Sequence, residues 1–431
     1  MKFRSTRERG AGVPVEQAIM SGTAPDGGLY VPITLPDFAT SAFDGVAEFA
    51  DVAERLLAPF LAGSDLQADT AAICHEALNF PVPLRAIEPG LSVLEMFHGP
   101  TAAFKDAGAR FLAAAMTRII HQGRYARPRV TILVATSGDT GGAVAAAFHR
   151  REGVRVVVLF PQGRVSARQQ HQLTCWGDNV LSLAVRGEFD DCQRLVKEAF
   201  ADSDLSTAHR LCSANSINVG RLLPQTAYYA KASLEYFRRH GKYPSFIVPT
   251  GNLGNGFACV WARRMGLPID RIMLATNANT TVADYLATGQ WLPRPTTATL
   301  ASAMDVGNPS NMERLQDLCE TVEGIRGEVS VVPVSDAEIR DSIRHEYRLH
   351  TAPWCPHTAT GLHAYRQLPA AERNDGHWIV VATAHPAKFD TIVEPLIDTS
   401  IEVPAELAHL LRLPAHFDTI GPNLKELAAR L

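Results

Sequence analysis

The chain alternates short apolar, β-branched runs with amphipathic helical stretches, and that alternation restricts it to a small set of folds. The apolar runs fall at 130–135, 154–160, 180–185, 246–248, 272–275, 329–334 and 378–382. Helical patterns lie between them at 107–120, 142–150, 189–201, 222–239, 255–265, 336–348 and 357–367. Strands that are apolar on both faces need cover on both sides, and a helix between successive strands lets them run parallel. The pattern predicts an α/β protein with parallel sheets wrapped by helices. At 431 residues, 46% of them hydrophobic, the chain exceeds what a single core usually fills.

The first eighty or so residues read as a separate unit. Helical character at 15–20 is broken by Ser21-Gly22 and Asp26-Gly27-Gly28, an extended segment covers 29–36, and helices are predicted at 43–61 and 70–78. Pro81, Pro83 and Pro89 mark a boundary. The expected division is an N-terminal domain at 1–82, a catalytic body at 83–398 with a smaller subdomain over roughly 128–230, and a helical tail at 399–431. Two short helices are predicted in the tail, around 406–413 and 424–431.

Charge excludes several roles. The 45 acids and 41 bases nearly cancel, so no polyanion or nucleic-acid partner is expected. No apolar run approaches the roughly 20 residues that span a bilayer. The basic N-terminus leads into no signal-like apolar core, and a cytoplasmic location is expected. Seven cysteines with no CxxC spacing argue for reduced thiols, with neither disulfides nor a metal site.

Two of the predicted strands end in glycine-rich turns that lead into helices. The first turn carries Thr136, Ser137, Gly138, Asp139 and Thr140; the second carries Gly251, Asn252, Leu253, Gly254 and Asn255. In open α/β sheets ligands collect beyond the carboxyl ends of strands, and a helix N-terminus offers free N–H groups to an anion. Neither turn has dinucleotide spacing, and no Lys-Ser or Lys-Thr pair follows, so a P-loop is excluded. Ahead of the first turn, Lys105 stands between Phe104 and Asp106 at a predicted helix start. Desolvation and the positive helix end both favour a neutral amine there, the form that condenses with an aldehyde.

The ordered motifs HGPTAAFKD (98–106), TSGDTGGA (136–143), SANSINVGRLLPQ (213–225), GNLGN (251–255), TLASAMDVGNPSN (299–311) and TAHPAKF (383–389) resemble those of the threonine synthase family. The segment 15–32, ending in GGLYVP, resembles that family's N-terminal domain. The resemblance implies the fold type II architecture of pyridoxal phosphate (PLP) enzymes: two α/β subdomains with parallel sheets, the active site between them, and an added N-terminal domain. It implies conversion of O-phospho-L-homoserine and water to L-threonine and phosphate by γ-elimination and β-addition of water, the last step of threonine biosynthesis. The partner is then a small-molecule substrate, and the protein a monomer or small homo-oligomer. A phospholyase releasing 2-oxobutyrate would share every cofactor motif, and a non-catalytic binder on this fold would have no need of the lysine.

Residue by residue, the resemblance makes Lys105 the Schiff-base lysine and the proton shuttle at the substrate Cα. Gly251, Asn252, Leu253, Gly254 and Asn255 become the cofactor-phosphate turn, with leucine at a position where the family often has phenylalanine. Thr383 meets the ring nitrogen, on which a neutral hydroxyl cannot fix a full positive charge. Asp139 is assigned to the cofactor's 3-oxygen. Thr136, Ser137, Gly138 and Thr140 resemble the loop that grips the substrate carboxylate. His98 and Thr101 are expected to line the site. Asn215, Ser216, Asn218 and Arg221 are candidates for the substrate phosphate, together with Lys231, Asn311 and Arg314; Arg221 fits an ion pair within the protein equally well. His385 and Lys388 are open between a site role and ordinary capping or surface roles. Cys355 stands where the family usually has an acid before PHTA.

Overall fold

Each of the seven apolar runs forms a strand, and their neighbours in space separate two parallel sheets. The computed structural model describes residues 1–122 and 129–431, so the expected subdomain start at 128 lies outside the described residues. The larger sheet has six strands in the order Ser330–Pro333, Ile272–Thr276, Ser245–Pro249, Trp378–Ala382, Leu91–Glu95 and Leu84–Glu88. All pair in parallel except the edge hairpin formed by the last two. The smaller sheet is wholly parallel, in the order Asp418–Ile420, Val180–Val185, Val154–Pro161, Val130–Ala135 and Leu211–Cys212.

The strand Leu91–Glu95 escapes the sequence pattern although it sits inside the larger sheet. It is only five residues long and follows directly on the prolines read as a boundary. Its burial is nonetheless nearly complete, because it runs beside Trp378–Ala382 in register. In the tail, helices Ala405–Leu411 and Leu424–Ala428 flank a strand, Asp418–Ile420, that the helical expectation lacks. Three residues carry too little periodicity to read as a strand. They form one because the edge of Val180–Val185 offers unpaired backbone groups, with Ile420 and Leu427 buried against Leu133 and Val157.

The N-terminal unit is a three-stranded antiparallel sheet of Val13–Pro14, Lys2–Ser5 and Tyr30–Pro32, joined by helices Val15–Ser21, Phe49–Leu61 and Thr70–Ala77. The predicted helix over 43–61 is split: a 3-10 turn ends at Phe43, and Gly45 at φ 76 separates it from Phe49–Leu61. Residues of this unit share one buried cluster with the helix Lys105–His121. Strands of the smaller sheet contribute to the same cluster, so the lysine helix packs with both.

Candidate active site

Three neighbouring strands of the larger sheet end at the same edge, and each delivers one part of the site. Ser245–Pro249 leads into the turn at 251–255, Trp378–Ala382 leads into Thr383, and Leu91–Glu95 leads toward Lys105. Adjacent strands lie about 4.8 Å apart, so the first and third strands are separated by about 10 Å at sheet level. Backbone bonds close the distance further. The Phe104 N–H donates to the Thr383 carbonyl (2.8 Å), and the His385 N–H donates to that of Ala102 (3.0 Å). Two consecutive tyrosines tie the lysine to the glycine turn: Tyr228 donates to the Phe104 carbonyl (3.1 Å) and Tyr229 to Asn255 Oδ1 (2.7 Å). No motif in the sequence singled out these tyrosines.

Lys105 is the first residue of the helix Lys105–His121 and is half-buried. Burial pushes its amine down to about 8; Arg221 and Lys388 push the same way, and Asp139 opposes them. Its neighbour Asp106 is 1% exposed and accepts from both the N–H (2.9 Å) and the hydroxyl (2.7 Å) of Thr101. Thr101 is therefore interior: its carbonyl also accepts from Gln172 (3.1 Å) and Lys388 (2.9 Å). It shapes the lysine loop from behind.

The second turn is built for close approach. Leu253 takes φ 61 with its side chain 1% exposed. Holding an L-residue in that region costs about 1–2 kcal/mol, which the surrounding core sustains. Helix Gly254–Arg264 follows at once, its first N–H groups opening on the turn. Asn252 is clamped by Ser216 Oγ (2.6 Å) and by the Asn311 side chain, which donates to its carbonyl (2.9 Å). Asn255 Nδ2 is buried and has no partner. A Cβ on Gly251 would stand 2.5 Å from the Met304 carbonyl oxygen, whereas one on Gly254 would meet nothing closer than 3.5 Å. Gly251→Ala is expected to destabilise the cofactor-free protein by about 1–3 kcal/mol, as overpacking does. Gly254→Ala should cost clearly less, and urea unfolding of both variants checks the contrast.

The first turn belongs to the smaller sheet. Thr136 is inward: its hydroxyl accepts from the N–H groups of Gly138 (3.0 Å) and Gly141 (2.9 Å) and so shapes the loop. Gly138 takes φ 143, and a Cβ there would strike the Gln169 amide. Ser137 and Thr140 are half-buried, and among the described residues their hydroxyls make no hydrogen bond. Asp139 Oδ1 accepts from Lys388 Nζ (2.7 Å) and Gln169 Nε2 (3.0 Å). Lys388 and its neighbouring lysine hold the Asp139 carboxyl far below the usual carboxylate range despite its burial.

The segment 213–221 bridges the lysine helix and the second turn. Ser216 faces Asn252, and the buried Oδ1 of Asn215 has no partner. Asn218 turns inward, capping helix Val219–Leu222 and donating to the Ile19 and Ser213 carbonyls (2.9 Å each). Arg221 is 2% exposed. It donates to the Ala214 carbonyl, its Nε is buried without a partner, and it has no ion-paired acid among the described residues. Burial pushes it down to about 10, against Asp106. Gly108 makes the room: a Cβ there would stand 2.6 Å from the Arg221 carbonyl oxygen. Arg314 is equally buried, but its guanidinium is spent on the carbonyls of Tyr30 (3.1 Å), Ser216 (3.3 Å) and Ile217 (2.6 Å) and on Asn311. Lys231 pairs with Glu235 (2.8 Å) and lines a separate groove beside Phe49 and Phe80.

Half-buried His98 pairs with Glu95 (2.8 Å). His385 lies across Phe97 from it and is pushed down to about 4, first by burial and then by His98. His357, which carried no assignment, is 2% exposed and accepts from the Ala303 N–H (3.0 Å). Cys355 is buried, 3.2 Å from the Thr358 hydroxyl, and burial raises its thiol.

These residues fit a phosphorylated aldehyde: a deprotonable amine starts one helix, and at the same sheet edge the turn before a second helix leaves a buried amide donor unpaired. Family comparison agrees. A profile described as pyridoxal-phosphate dependent enzyme matches residues 82–384, and the threonine synthase N terminus and C-terminal profiles match 2–78 and 358–430. The chain is 38% identical to a threonine synthase of Serratia marcescens, over 99% of this chain and 98% of that one. It is 37% identical to one of Escherichia coli, over 96% and 95%. Among solved structures, PLP-bound threonine synthase from Brucella melitensis superposes with TM-score 0.92 at 35% identity, covering 100% of this chain and 98% of that one. The Escherichia coli enzyme superposes with TM-score 0.90 at 35% identity, covering 100% and 99%.

Proposed function

Because the chain belongs to the threonine synthase family of pyridoxal-phosphate dependent enzymes, we propose that Lys105, the 251–255 turn, Thr383 and Arg221 together carry its reaction on O-phospho-L-homoserine. Its activity is that of a threonine synthase, a PLP-dependent lyase. The observation that carries the residue assignment is the half-buried Lys105 amine, pushed down to about 8 at the edge where three parallel strands end.

When bound, the cofactor supplies an electron sink that acidifies the substrate carbons next to its nitrogen. Lys105 holds the cofactor aldehyde, then takes and returns the proton at the substrate Cα. The N–H groups of 251–255 and the free amide of Asn255 take the cofactor phosphate. Thr383 offers the ring nitrogen a neutral hydroxyl. Ser137 and Thr140, whose hydroxyls are uncommitted, hold the substrate carboxylate on the N-terminus of helix Asp139–Phe148. Arg221 faces the substrate phosphate, with Ser216 and Asn215 beside it. His98 and Glu95 stand at the entrance. The expected contact of Asp139 with the cofactor's 3-oxygen competes with two donors already on Oδ1.

A cytoplasmic setting accords with cysteines that are all free thiols. No helix among the described residues is long and apolar enough to cross a membrane. A monomer or small homo-oligomer remains part of the proposal.

The test is to incubate the PLP-loaded protein with O-phospho-L-homoserine and measure threonine, 2-oxobutyrate and phosphate separately. Threonine and phosphate in equal amounts are expected. Dominant 2-oxobutyrate would replace this reading with a phospholyase, and absent phosphate release would replace it with a binder.

A further inference from the structure

One buried lysine sits on a carboxylate whose charge also acts on Lys105. Lys388 is 0% exposed, Asp139 is 4% exposed, and their charged atoms stand 2.7 Å apart. Lys388 also donates to the Thr101 carbonyl (2.9 Å), and Thr101 in turn holds Asp106 beside Lys105. Asp139 belongs to the smaller sheet's first turn, and Lys388 to the 3-10 turn after the larger sheet's Trp378–Ala382 strand. The pair therefore ties a turn of the smaller sheet to a turn of the larger one. Lys105, which feels the same carboxylate, has no ion pair of its own among the described residues.

A carboxylate whose charge acts on two amines can stabilise the charged form of either. Whichever amine it holds stays protonated, and the other is left as the less basic one. The groups around the three partners are Asp106 and Arg221 beside Lys105, Gln169, His357 and Cys355 toward Asp139, and His385 and Asp106 toward Lys388. His357 and His385 are both pushed down to about 4 by burial, so they are neutral near pH 7 and supply no second cation. The Asp106 carboxylate is already bonded by Thr101. That leaves Lys388 as the cation which occupies Asp139.

We propose that Lys388 is a positioning residue: by holding the Asp139 carboxylate it keeps the Lys105 amine unpaired and free to capture the cofactor aldehyde. The inference rests on Lys105 being the cofactor lysine. It also gives a reason for a buried lysine in a motif that the sequence left open to a capping or surface role.

Cofactor-free protein mixed with PLP gives a capture rate from the rise in visible absorbance, and its pH dependence reports the Lys105 amine. In Lys388→Met the freed carboxylate turns to Lys105, so the midpoint should move up by about 1–2 pH units, as an opposite charge within a few ångströms does. Capture near pH 7 should slow roughly 10-fold or more, because each unit removes a factor of ten in neutral amine. The double variant Lys388→Met/Asp139→Asn removes the carboxylate as well and should return the midpoint to the wild-type value or below. A merely structural role predicts no such rescue. A wild-type midpoint in Lys388→Met would overturn the proposal. If that single variant does not fold, the double variant decides: a midpoint above wild type overturns the proposal, and one at or below it supports it. Loss of the visible signal in Lys105→Ala but not in Lys388→Met separates the two readings. A signal that persists in Lys105→Ala would sink the lysine assignment itself.

Discussion

Lys105→Ala is expected to lose the visible absorption of the lysine-bound cofactor and to cut turnover by about 10³-fold or more. Two functions go with the one amine. On the proposed assignment it holds the aldehyde covalently and moves the Cα proton; a positioned proton-transfer group alone is worth about 10²–10⁴-fold. The fold should survive, because no ion pair to Lys105 is present among the described residues and the loop behind it is held by Thr101 and Asp106. Circular dichroism of the variant should therefore match the parent protein. In the parent, capture of the cofactor should quicken as pH rises through about 8, since burial keeps the amine below its usual range and only the neutral form reacts. Turnover retained in Lys105→Ala, at unchanged product ratio, would show that the chemistry sits elsewhere.

Arg221→Met should lower kcat/KM for O-phospho-L-homoserine by about 30-fold or more, chiefly through KM. Truncating one partner of a buried, hydrogen-bonded charge pair costs about 2–5 kcal/mol, and about 1.4 kcal/mol is tenfold. The unusual feature is that Arg221 is 2% exposed with an unpartnered Nε and no ion-paired acid among the described residues. A buried cation without an acid is costly until an anion arrives. Ligand-free Arg221→Met should accordingly be no less stable than the parent in thermal unfolding, while phosphate-bearing substrate binds far worse. Cofactor capture should be nearly unchanged. If the variant unfolds much more easily and substrate affinity holds, Arg221 is a strut and the substrate phosphate is held by other groups.

Arg314 is the instructive contrast. Both arginines are buried, and the sequence offered both as candidates for the substrate phosphate. The structure spends Arg314 on three backbone carbonyls and Asn311, and leaves Arg221 a donor to spare. Thr101 and Asn218 divide from Ser216 and Asn215 in the same way: the first two satisfy interior backbone and carboxylate groups, while Ser216 meets Asn252 of the second turn and Asn215 keeps a buried oxygen unpartnered.

What the sequence determined by itself follows from local physics. Apolar β-branched runs between amphipathic helices specify parallel sheets, and glycine turns at strand ends specify where ligands collect, because each rule acts over a few neighbouring residues. The place of Lys105 at a helix start and that of the 251–255 turn between a strand and a helix were legible for that reason. The strand Leu91–Glu95, the tail strand Asp418–Ile420 and the tyrosines Tyr228 and Tyr229 were not. Each takes its role from a partner far away in the chain: an adjacent strand, an open sheet edge, or a carbonyl and an amide across the cleft. The Lys388–Asp139 pair is the clearest case. Its members stand 249 positions apart, and only the closure of one sheet against the other brings their charges to 2.7 Å.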